Sequence, residues 1–203
     1  MASVTFTELE VLKANVLPGE LSSRSDWDTQ ITSIALGVAE SFDRHCNRTL
    51  ARDTAKIDYF TADRDHANLT CYPVESITEV AEKTSYDGSY TAVENSILYL
   101  DEAAGLVHFS GNFGTRSTRL RITYSGGFWV DTSVAQDGSL PSGSTQLPAD
   151  ILGAFYQQVS HELTIRDVLG VASATQQANS NLPELKLLPS VEAILAKYIR
   201  WEC

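Results

Sequence analysis

The sequence predicts an α+β fold, namely a small helical bundle with a β-rich insertion and a C-terminal helical arm. Apolar residues recur at helical spacing near both ends of the 203-residue chain. Between them, residues 55–128 alternate short β-branched and aromatic segments with turn residues. Helices on both sides of a β-rich segment favour α+β over an alternating parallel-sheet fold. We therefore expect one domain over residues 1–170, followed by a linker and a docking helix over residues 171–203.

Two helices are predicted before the insertion. In the first, at residues 7–17, Thr7 and Glu10 have the spacing of a capping box. The second, at residues 26–47, has Asn47 as its predicted stop. Its apolar stripe consists of Ile31, Ile34, Ala35, Val38 and Phe42. The second helix therefore has one face that must be buried.

Six strands are predicted in the insertion, with the sequences KIDYF, LTCY, SITEVAEK, ILYL, GLVHF and RLRITY. Only the last one alternates strictly between apolar and polar residues. Its two faces are Leu120, Ile122 and Tyr124 on one side and Arg119, Arg121 and Thr123 on the other. The Asp87–Gly88 pair in YDGSY favours a tight hairpin.

A Gly- and Ser-rich segment without periodicity covers residues 131–147 and predicts a mobile loop. A third helix is predicted at residues 149–169, beginning after Pro148. Its stripe consists of Ile151, Ala154, Phe155, Val159, Glu162 and Leu163. A carboxylate therefore interrupts the apolar face near its end.

The final predicted helix follows a polar segment, residues 171–182, that lacks periodicity. Ser190 is its expected cap. Its stripe consists of Val191, Ile194, Leu195, Tyr198 and Ile199, with Trp201 just beyond. A helix of about a dozen residues is marginal alone in water and must bury such a stripe. Two interpretations stay open, because the stripe either docks on another polypeptide or folds back on the chain's own core.

The chain is acidic, with 15 Lys and Arg against 26 Asp and Glu and a net charge of -11. Such a surface repels DNA, which argues against general nucleic-acid affinity. A basic strip, Arg116, Arg119 and Arg121, nevertheless stands out in a stretch that contains no acid between Glu102 and Asp131. The strip contacts a nucleic-acid phosphate, meets an acidic patch on a second copy of the chain, or is simply solvated.

The motifs of catalysis and metal binding are incomplete or missing. His161 and Glu162 begin a zinc-protease signature, but Ile165 stands where its second histidine belongs. The sequence contains no nucleophile elbow, P-loop or dinucleotide-binding glycine pattern. The acid-rich segment DYFTADRD could supply the pair of carboxylates that a glycoside hydrolase uses. A chain with 26 acidic residues contains such pairs by chance, however. We expect no enzymatic activity, no metal and no cofactor.

The three cysteines (Cys46, Cys71 and Cys203) are odd in number and far apart, which fits a reducing compartment. The N-terminal residues lack the features of a signal peptide. No uncharged apolar stretch approaches the roughly 20 residues that span a bilayer. We therefore expect the protein to be in the cytoplasm, at least when it is made, and we expect no membrane partner.

The order of the elements resembles the phage head-tail connector family, the adaptor or head-completion proteins between portal and tail. The resembling segments span residues 5–168. They are the TFTELEVLKANV and DTQITSIALGVAESFDRHCNRTL helices, CYPVESITEV with its apolar-Pro-Val-x-Ser-Ile pattern, LRITYSGGF, which is like the family's Val-Thr-Tyr-x-x-Gly-aromatic segment, and the Pro-x-Asp helix LPADILGAFYQQVSHELTIRD.

The resemblance implies a non-enzymatic virion protein in the neck of a tailed phage. It implies a homo-oligomeric ring, most often a dodecamer, which binds the portal and a tail-side neck or tail protein and extends the DNA channel without gripping the DNA. The terminal stripe is then the expected portal or neighbour contact. The loop at 131–147 and the long arm depart from shorter members of the family. Two alternatives stay open: another virion ring component such as a tail-completion protein, or a hydrolase using two carboxylates.

Overall fold

The computed structural model describes residues 5–17, 19–23, 25–61, 65–85, 87–93, 97–110, 118–130, 140, 143–165 and 186–200. The chain divides into two compact units. The helical unit comprises residues 1–46, 130–133 and 147–199, and the β unit comprises residues 47–129, 134–146 and 200–203. The helical unit thus takes its helices from both ends of the chain, which confirms the predicted α+β class.

The described helices all lie in the helical unit. They are α1 (Leu9–Val16), α2 (Asp28–Cys46), α3 (Ala149–Ile165) and α4 (Pro189–Leu195), with short 3₁₀ turns at Gly19–Ser23 and Ala196–Tyr198. The predicted stripe of α2 is buried along its whole length, and Asn47 adopts the left-handed φ of 51° that ends the helix. In the described part of the chain, no helix is long and apolar enough to cross a membrane.

Three phenylalanines from distant parts of the sequence form the centre of the helical unit. The ring of Phe155 meets Phe6 and Phe42 edge to face, with centroid distances of 5.2 and 6.2 Å. All three side chains are almost completely buried. Edge-to-face contacts of this kind stabilise a core beyond the area that they bury. Residues that precede and follow the insertion therefore complete one core.

Lys13 is a charged residue of the helical core that the sequence pattern does not reveal. Its side chain is 2% exposed, and its Nζ lies 2.8 Å from Asp28 Oδ1 and 3.3 Å from Glu10 Oε1. The hydrogen bond to Asp28, followed by that to Glu10, raises the pKa of Lys13 although burial opposes the charge. The pair ties α1 to the first turn of α2.

The capping box predicted at the first helix is wrong. The helix begins at Leu9, Glu8 is its N-cap, and the cap side chain makes no hydrogen bond there. Thr7 is buried, and its Oγ1 accepts a hydrogen bond from Tyr156 in α3 at 3.4 Å. The Glu10 carboxylate is next to Lys13. A residue of another helix, Tyr156, therefore binds the Thr7 hydroxyl, and a residue of the same helix, Lys13, binds the Glu10 carboxylate.

The described residues of the β unit form three small sheets. Antiparallel β1 (Asp53–Thr61), β7 (Arg119–Gly126), β3 (Val74–Lys83) and β4 (Thr91–Ala92) form the first, in that order. Antiparallel β2 (His66–Asn68), β6 (Leu106–Phe109) and β5 (Ile97–Asp101) form the second. The third pairs β8 (Phe128–Trp129) in parallel with β9 (Thr145–Gln146).

The predicted alternation of β7 is confirmed, since Leu120, Ile122 and Tyr124 are buried in the core of the β unit. The prediction of a strand at LTCY is wrong. Leu69 and Cys71 are completely buried there, but Cys71 makes only an isolated bridge with Thr49. A buried irregular segment has the same apolar composition as a strand, so composition alone does not separate them.

Two predicted loops have mixed outcomes. Near Asp87–Gly88 the chain does turn, because Gly88 N donates to Ser85 O at 3.2 Å, but the strands pair only further out, at Glu82 with Thr91 and at Ala81 with Ala92. Within the loop predicted at 131–147, residues 131–139, 141 and 142 lie outside the described residues. Thr145–Gln146 forms β9 and departs from that prediction, because its backbone pairs with β8.

The boundary between residues 1–170 and 171–203 differs from the grouping seen in the structure. Residues 186–199 belong to the same compact unit as α1, α2 and α3. Residues 166–185, which include the predicted linker and the predicted end of the third helix, lie outside the described residues. The terminal residues belong to the helical unit because the side chains of Val191 and Leu195 in α4 are buried.

Candidate functional site

The terminal helix, the predicted docking element, is attached to its own helical unit. Val191 and Leu195 are completely buried, and α4 contacts both α3 and α2. The thiol of buried Cys46 at the end of α2 donates to the carbonyl of Leu195 at 3.8 Å. Two apolar side chains at i and i+4 spacing thus hold a helix of seven residues against the bundle.

A buried glutamine of α3 fixes the backbone that leads into α4. Gln158 Nε2 donates to Lys186 O at 3.1 Å and to Glu162 Oε1 at 3.2 Å. Gln158 Oε1 accepts the amide of Leu188 at 2.9 Å. The side-chain nitrogen and oxygen of this fully buried amide are therefore both hydrogen-bonded, as buried polar groups require. The interruption of the stripe by Glu162 belongs to this contact, which was not apparent from the sequence.

Asp150 in the first turn of α3 holds the end of the terminal segment. Its carboxylate accepts hydrogen bonds from the Tyr198 hydroxyl at 2.7 Å and from Lys197 Nζ at 3.5 Å. Burial by itself raises the pKa of Asp150. The hydrogen bonds from Tyr198, Lys197 and the Ile151 amide outweigh that effect, so the net pKa lies below its ordinary value.

The structure corrects what the stripe of the terminal helix does in the single chain. Of the predicted docking residues, Val191 and Leu195 are core residues of the chain itself, because α3 and α2 cover them. Ile194, Tyr198 and Ile199 remain partly exposed. The helix ends at Leu195, so Tyr198 lies in a 3₁₀ turn and Ile199 is extended. Trp201 lies outside the described residues, and binding of the stripe to another polypeptide stays a prediction.

The cap predicted at Ser190 is also wrong. Pro189 occupies the first turn and Leu188 is the N-cap, so the helix begins one residue before the expected cap. The Ser190 hydroxyl instead accepts a hydrogen bond from Gln157 Nε2 at 3.0 Å. The contact adds a second polar link between α3 and α4.

The basic strip lies on the outward face of β7. Arg121 NH2 lies 2.7 Å from Glu79 Oε2, and its guanidinium lies 4.9 Å from the ring centroid of Tyr90. Arg119 is exposed two residues earlier on the same face. Arg116 lies outside the described residues. The structure therefore places two of the three predicted arginines side by side, one fixed by partners and one facing solvent.

Aromatic side chains accompany these arginines, a feature not recognised in the sequence. In the register of β1 and β7, Tyr59 is opposite Arg121 and Thr61 is opposite Arg119. The rings of Tyr59 and Tyr90 lie 6.0 Å apart. An open groove of about 550 Å³ is lined by Tyr59, Phe60, Thr61, Tyr90 and Arg119. Tyr59 in β1 and Tyr90 are far apart in the sequence, so no local pattern indicates this cluster.

The tyrosine of the Thr-Tyr-x-x-Gly-aromatic segment belongs to a buried polar network. The Tyr124 hydroxyl donates to Asp58 Oδ2 at 2.8 Å and accepts the amide of Cys71 at 2.8 Å. Asp58 also accepts the amide and the hydroxyl of Thr70 at 2.7 and 2.8 Å. Burial, followed by the negative charge of Asp58, raises the pKa of Tyr124. These contacts give Asp58 a structural role, because its oxygens are engaged in holding the core together.

The glycines of the same segment allow a close approach of backbones. A Cβ on Gly126 would lie 2.4 Å from Cys71 O, and one on Gly127 would lie 2.6 Å from Ala51 O. Gly127 also has a φ of +93°. The chain then places Phe128 beside the buried guanidinium of Arg48, which stacks on Tyr72 at 3.4 Å. The resemblance motif therefore builds the core of the β unit.

The remaining reactive side chains do not form a metal centre in the part of the chain that the structure describes. No group of three or more His, Cys, Asp or Glu side chains converges there. His66 and His108 face each other across β2 and β6 with ring centroids 5.8 Å apart, and Asp65 lies 2.8 Å from His66 Nδ1. Burial raises the pKa of Cys71 to about 12, which leaves its thiol protonated and unreactive.

Comparison with known proteins identifies the fold. No protein-family model and no curated protein sequence matches the chain. A solved structure described as the neck of an empty GTA particle, computed with C6 symmetry, matches at a TM-score of 0.61 and 15% identity. The match covers 100% of this chain and 95% of that chain.

Two further structures match over the whole of this chain. A virion of a native gene transfer agent (GTA) particle matches at a TM-score of 0.60 and 15% identity, over 94% of that chain. A neck of a native GTA particle, computed with C12 symmetry, matches at a TM-score of 0.58 and 14% identity, again over 94% of that chain. The chain therefore has the fold of chains from the neck and virion of phage-like particles, as its resemblance to head-tail connectors predicted.

Proposed function

We propose that this chain is a structural protein in the neck of a tailed phage or phage-like particle, where it acts as a head-tail adaptor. The observation that carries the proposal is the likeness of fold over the entire chain to chains of GTA neck structures. The order of the connector segments in the sequence supports it independently. The function is assembly, without catalysis or a cofactor.

We further propose that the protein acts as a homo-oligomeric ring, with twelve copies under a twelvefold portal. Support comes from the symmetries, C6 and C12, with which the similar neck structures were computed. At a net charge of -11 each, twelve copies carry -132. An acidic ring lets DNA move through the channel without tight binding, because like charges repel the phosphates.

The terminal segment is the proposed contact with the portal or a neighbouring subunit. In the single chain, Val191 and Leu195 are buried, and burial of one such side chain is worth about 1.5–3 kcal/mol. Complete release of α4 therefore costs several kcal/mol, a large fraction of the stability of an ordinary domain. Ile194 and Ile199 are only partly buried, so they are the first apolar side chains that a partner reaches.

Mixing the protein with its portal, followed by electron microscopy, tests this function. The wild type is expected to form a ring on the portal, whereas a variant lacking residues 183–203 is expected not to. Since the deletion also removes core residues, Ile194→Asp is the sharper variant and Ala193→Asp, on the exposed side of α4, is its control. We expect only the former to lose portal binding.

The outcomes separate the parts of the proposal. Normal portal binding by both the truncated chain and Ile194→Asp contradicts the terminal contact but leaves the adaptor role in place. A wild-type ring that joins a tail-side protein and never the portal contradicts the adaptor role, and it favours a tail-completion ring instead.

A further inference from the structure

We propose that the outer sheet face, defined by Ile57, Tyr59, Thr61, Tyr90, Arg119 and Arg121, binds the acidic helical unit of a second copy of this chain. The inference rests on the proposed ring, and it names the surfaces that join neighbouring copies. This inference extends the basic strip to a larger surface that includes two tyrosines and a groove. It assigns that surface to the contact between subunits.

The outer sheet face combines exposed apolar area with fixed cations. Tyr59 is 63% exposed, and Ile57 on the same side of β1 is 44% exposed. Arg121 is held by Glu79 and by the ring of Tyr90, so its position is set before a partner arrives. Preorganised Tyr and Arg side chains are the residues that contribute most often to binding energy at protein interfaces.

The groove beside Arg119 gives this face a shape that a side chain can fill. Its volume is about 550 Å³, and Tyr59 and Tyr90 form its aromatic wall. Exposed Arg119 stands at the groove with its positive charge. The groove therefore favours an apolar side chain next to a carboxylate.

The distribution of charge over the chain indicates what kind of surface binds at the groove. The helical unit contains 13 acidic and 6 basic residues, hence -7, whereas the β unit contains 13 acidic and 9 basic residues, hence -4. Both units are acidic, whereas the outer sheet face carries Arg119 and Arg121 against the single carboxylate of Glu79 that contacts Arg121, so it is a local cationic area on an anionic molecule. Every copy therefore carries a complementary surface for it. DNA would meet the repulsion of the remaining charge.

One exposed strip of the helical unit offers the required pair of side chains. Leu36 and Glu40 lie one turn apart on α2 and are 48% and 75% exposed. Arg44 is the nearest partner of Glu40, at 3.3 Å, and it is itself exposed. Exposed ion pairs of this kind are weak, so Glu40 exchanges Arg44 for Arg119 at little cost. We assign Leu36 to the groove and Glu40 to Arg119.

A charge-exchange experiment on ring formation tests the assignment. Arg119→Glu and Glu40→Arg are each expected to raise the protein concentration for half-maximal ring assembly at least tenfold. The double variant is expected to return it to within about threefold of wild type, because the pair is restored with its signs exchanged. Glu102→Arg, a change of equal charge at an exposed turn residue of the β unit outside both proposed surfaces, is the control and is expected to have no effect.

A second variant removes the apolar part without changing charge. Tyr59→Ser is expected to weaken assembly to a similar extent, and assembly of the wild type is expected to weaken as salt rises. Circular dichroism of each variant monitors the fold. Mass photometry or analytical ultracentrifugation measures the rings.

The results also distinguish this inference from the function on which it rests. If the wild type forms no ring at any concentration or on the portal, the proposed ring function fails. If the wild type forms rings and Arg119→Glu does so equally well, only the inference about the outer sheet face is overturned. Loss of assembly in both single variants without recovery in the double variant overturns the pairing with α2. An effect of Arg119→Glu on duplex binding alone assigns the face to nucleic acid.

Discussion

At the scale of single residues, the resemblance motif has a physical meaning in the core of the β unit. Tyr124 is both a donor to Asp58 and an acceptor from the backbone, and Gly127 adopts a φ of +93° close to Ala51. An aromatic residue follows because Phe128 covers the buried Arg48. These residues contact one another and the backbone, so the motif contributes to the core of the β unit.

Two glycine substitutions of opposite expected sign test this account. Gly127→Ala is expected to lower the free energy of unfolding by more than 1 kcal/mol, since a Cβ there is both strained and 2.6 Å from a carbonyl oxygen. Gly153→Ala in α3, where no atom lies within 4 Å of the added Cβ, is expected to raise it by about 0.5–1 kcal/mol. Chemical denaturation measures both changes. Equal effects of the two variants would contradict the close approach at Gly127.

The polar residues of the core mark the limit of prediction from sequence. Lys13 and Gln158 are on helices whose apolar faces were recognised, but their burial depends on Asp28 and on the backbone of Leu188. Such partners are distant in sequence, so no periodicity reveals them. Thr7 illustrates the converse, because the local capping pattern predicts a helix cap, whereas its hydroxyl accepts a hydrogen bond from the distant Tyr156.

At the scale of elements, the sequence predicted the helices and strands that bury one face and expose the other. The stripe of α2 and the alternation of β7 each follow from one buried and one exposed face, which a single sequence displays directly. LTCY and α4 were less predictable. The LTCY segment is buried but does not form a strand. The α4 helix has an apolar stripe, and the sequence pattern does not say whether the chain's own core or another polypeptide covers it.

Attachment of the terminal segment is expected to depend on acid through Asp150. Because its folded pKa is lowered, the stabilising contribution of Asp150 is fully present above its ordinary pKa of 3.8 and is lost as the pH falls through the folded value. Proteolysis of residues after Ile165 is therefore expected to accelerate below about pH 3.8 in the wild type. Thermolysin at neutral pH and pepsin in acid, each calibrated on an unfolded substrate at the same pH, give the measurement.

Asp150→Asn is the matched control for this experiment, because it keeps the shape of the side chain and removes the titration. The variant is expected to release the segment more readily than the wild type at neutral pH, and the difference between them is expected to disappear in acid. A difference that persists unchanged in acid contradicts the role of the carboxylate.

At the scale of the whole molecule, charge is the property that bears most on the proposed channel. A net charge of -11 per copy is spread over both units, and the cationic side chains of the outer sheet face are the local exception. The ring is therefore expected to show no tight binding of duplex DNA even at low salt, where phosphate contacts are strongest. Fluorescence anisotropy with a labelled duplex measures this. Binding that is tight at low salt and weakens steeply as salt rises contradicts the acidic channel.

Phe6 and Phe42 are translated long before Phe155, the ring that completes their cluster. A nascent chain on the ribosome consequently carries an open apolar surface until α3 has emerged. Chaperone engagement is expected to be longest in that interval, and a product that ends before α3 lacks the ring that completes the core of the helical unit.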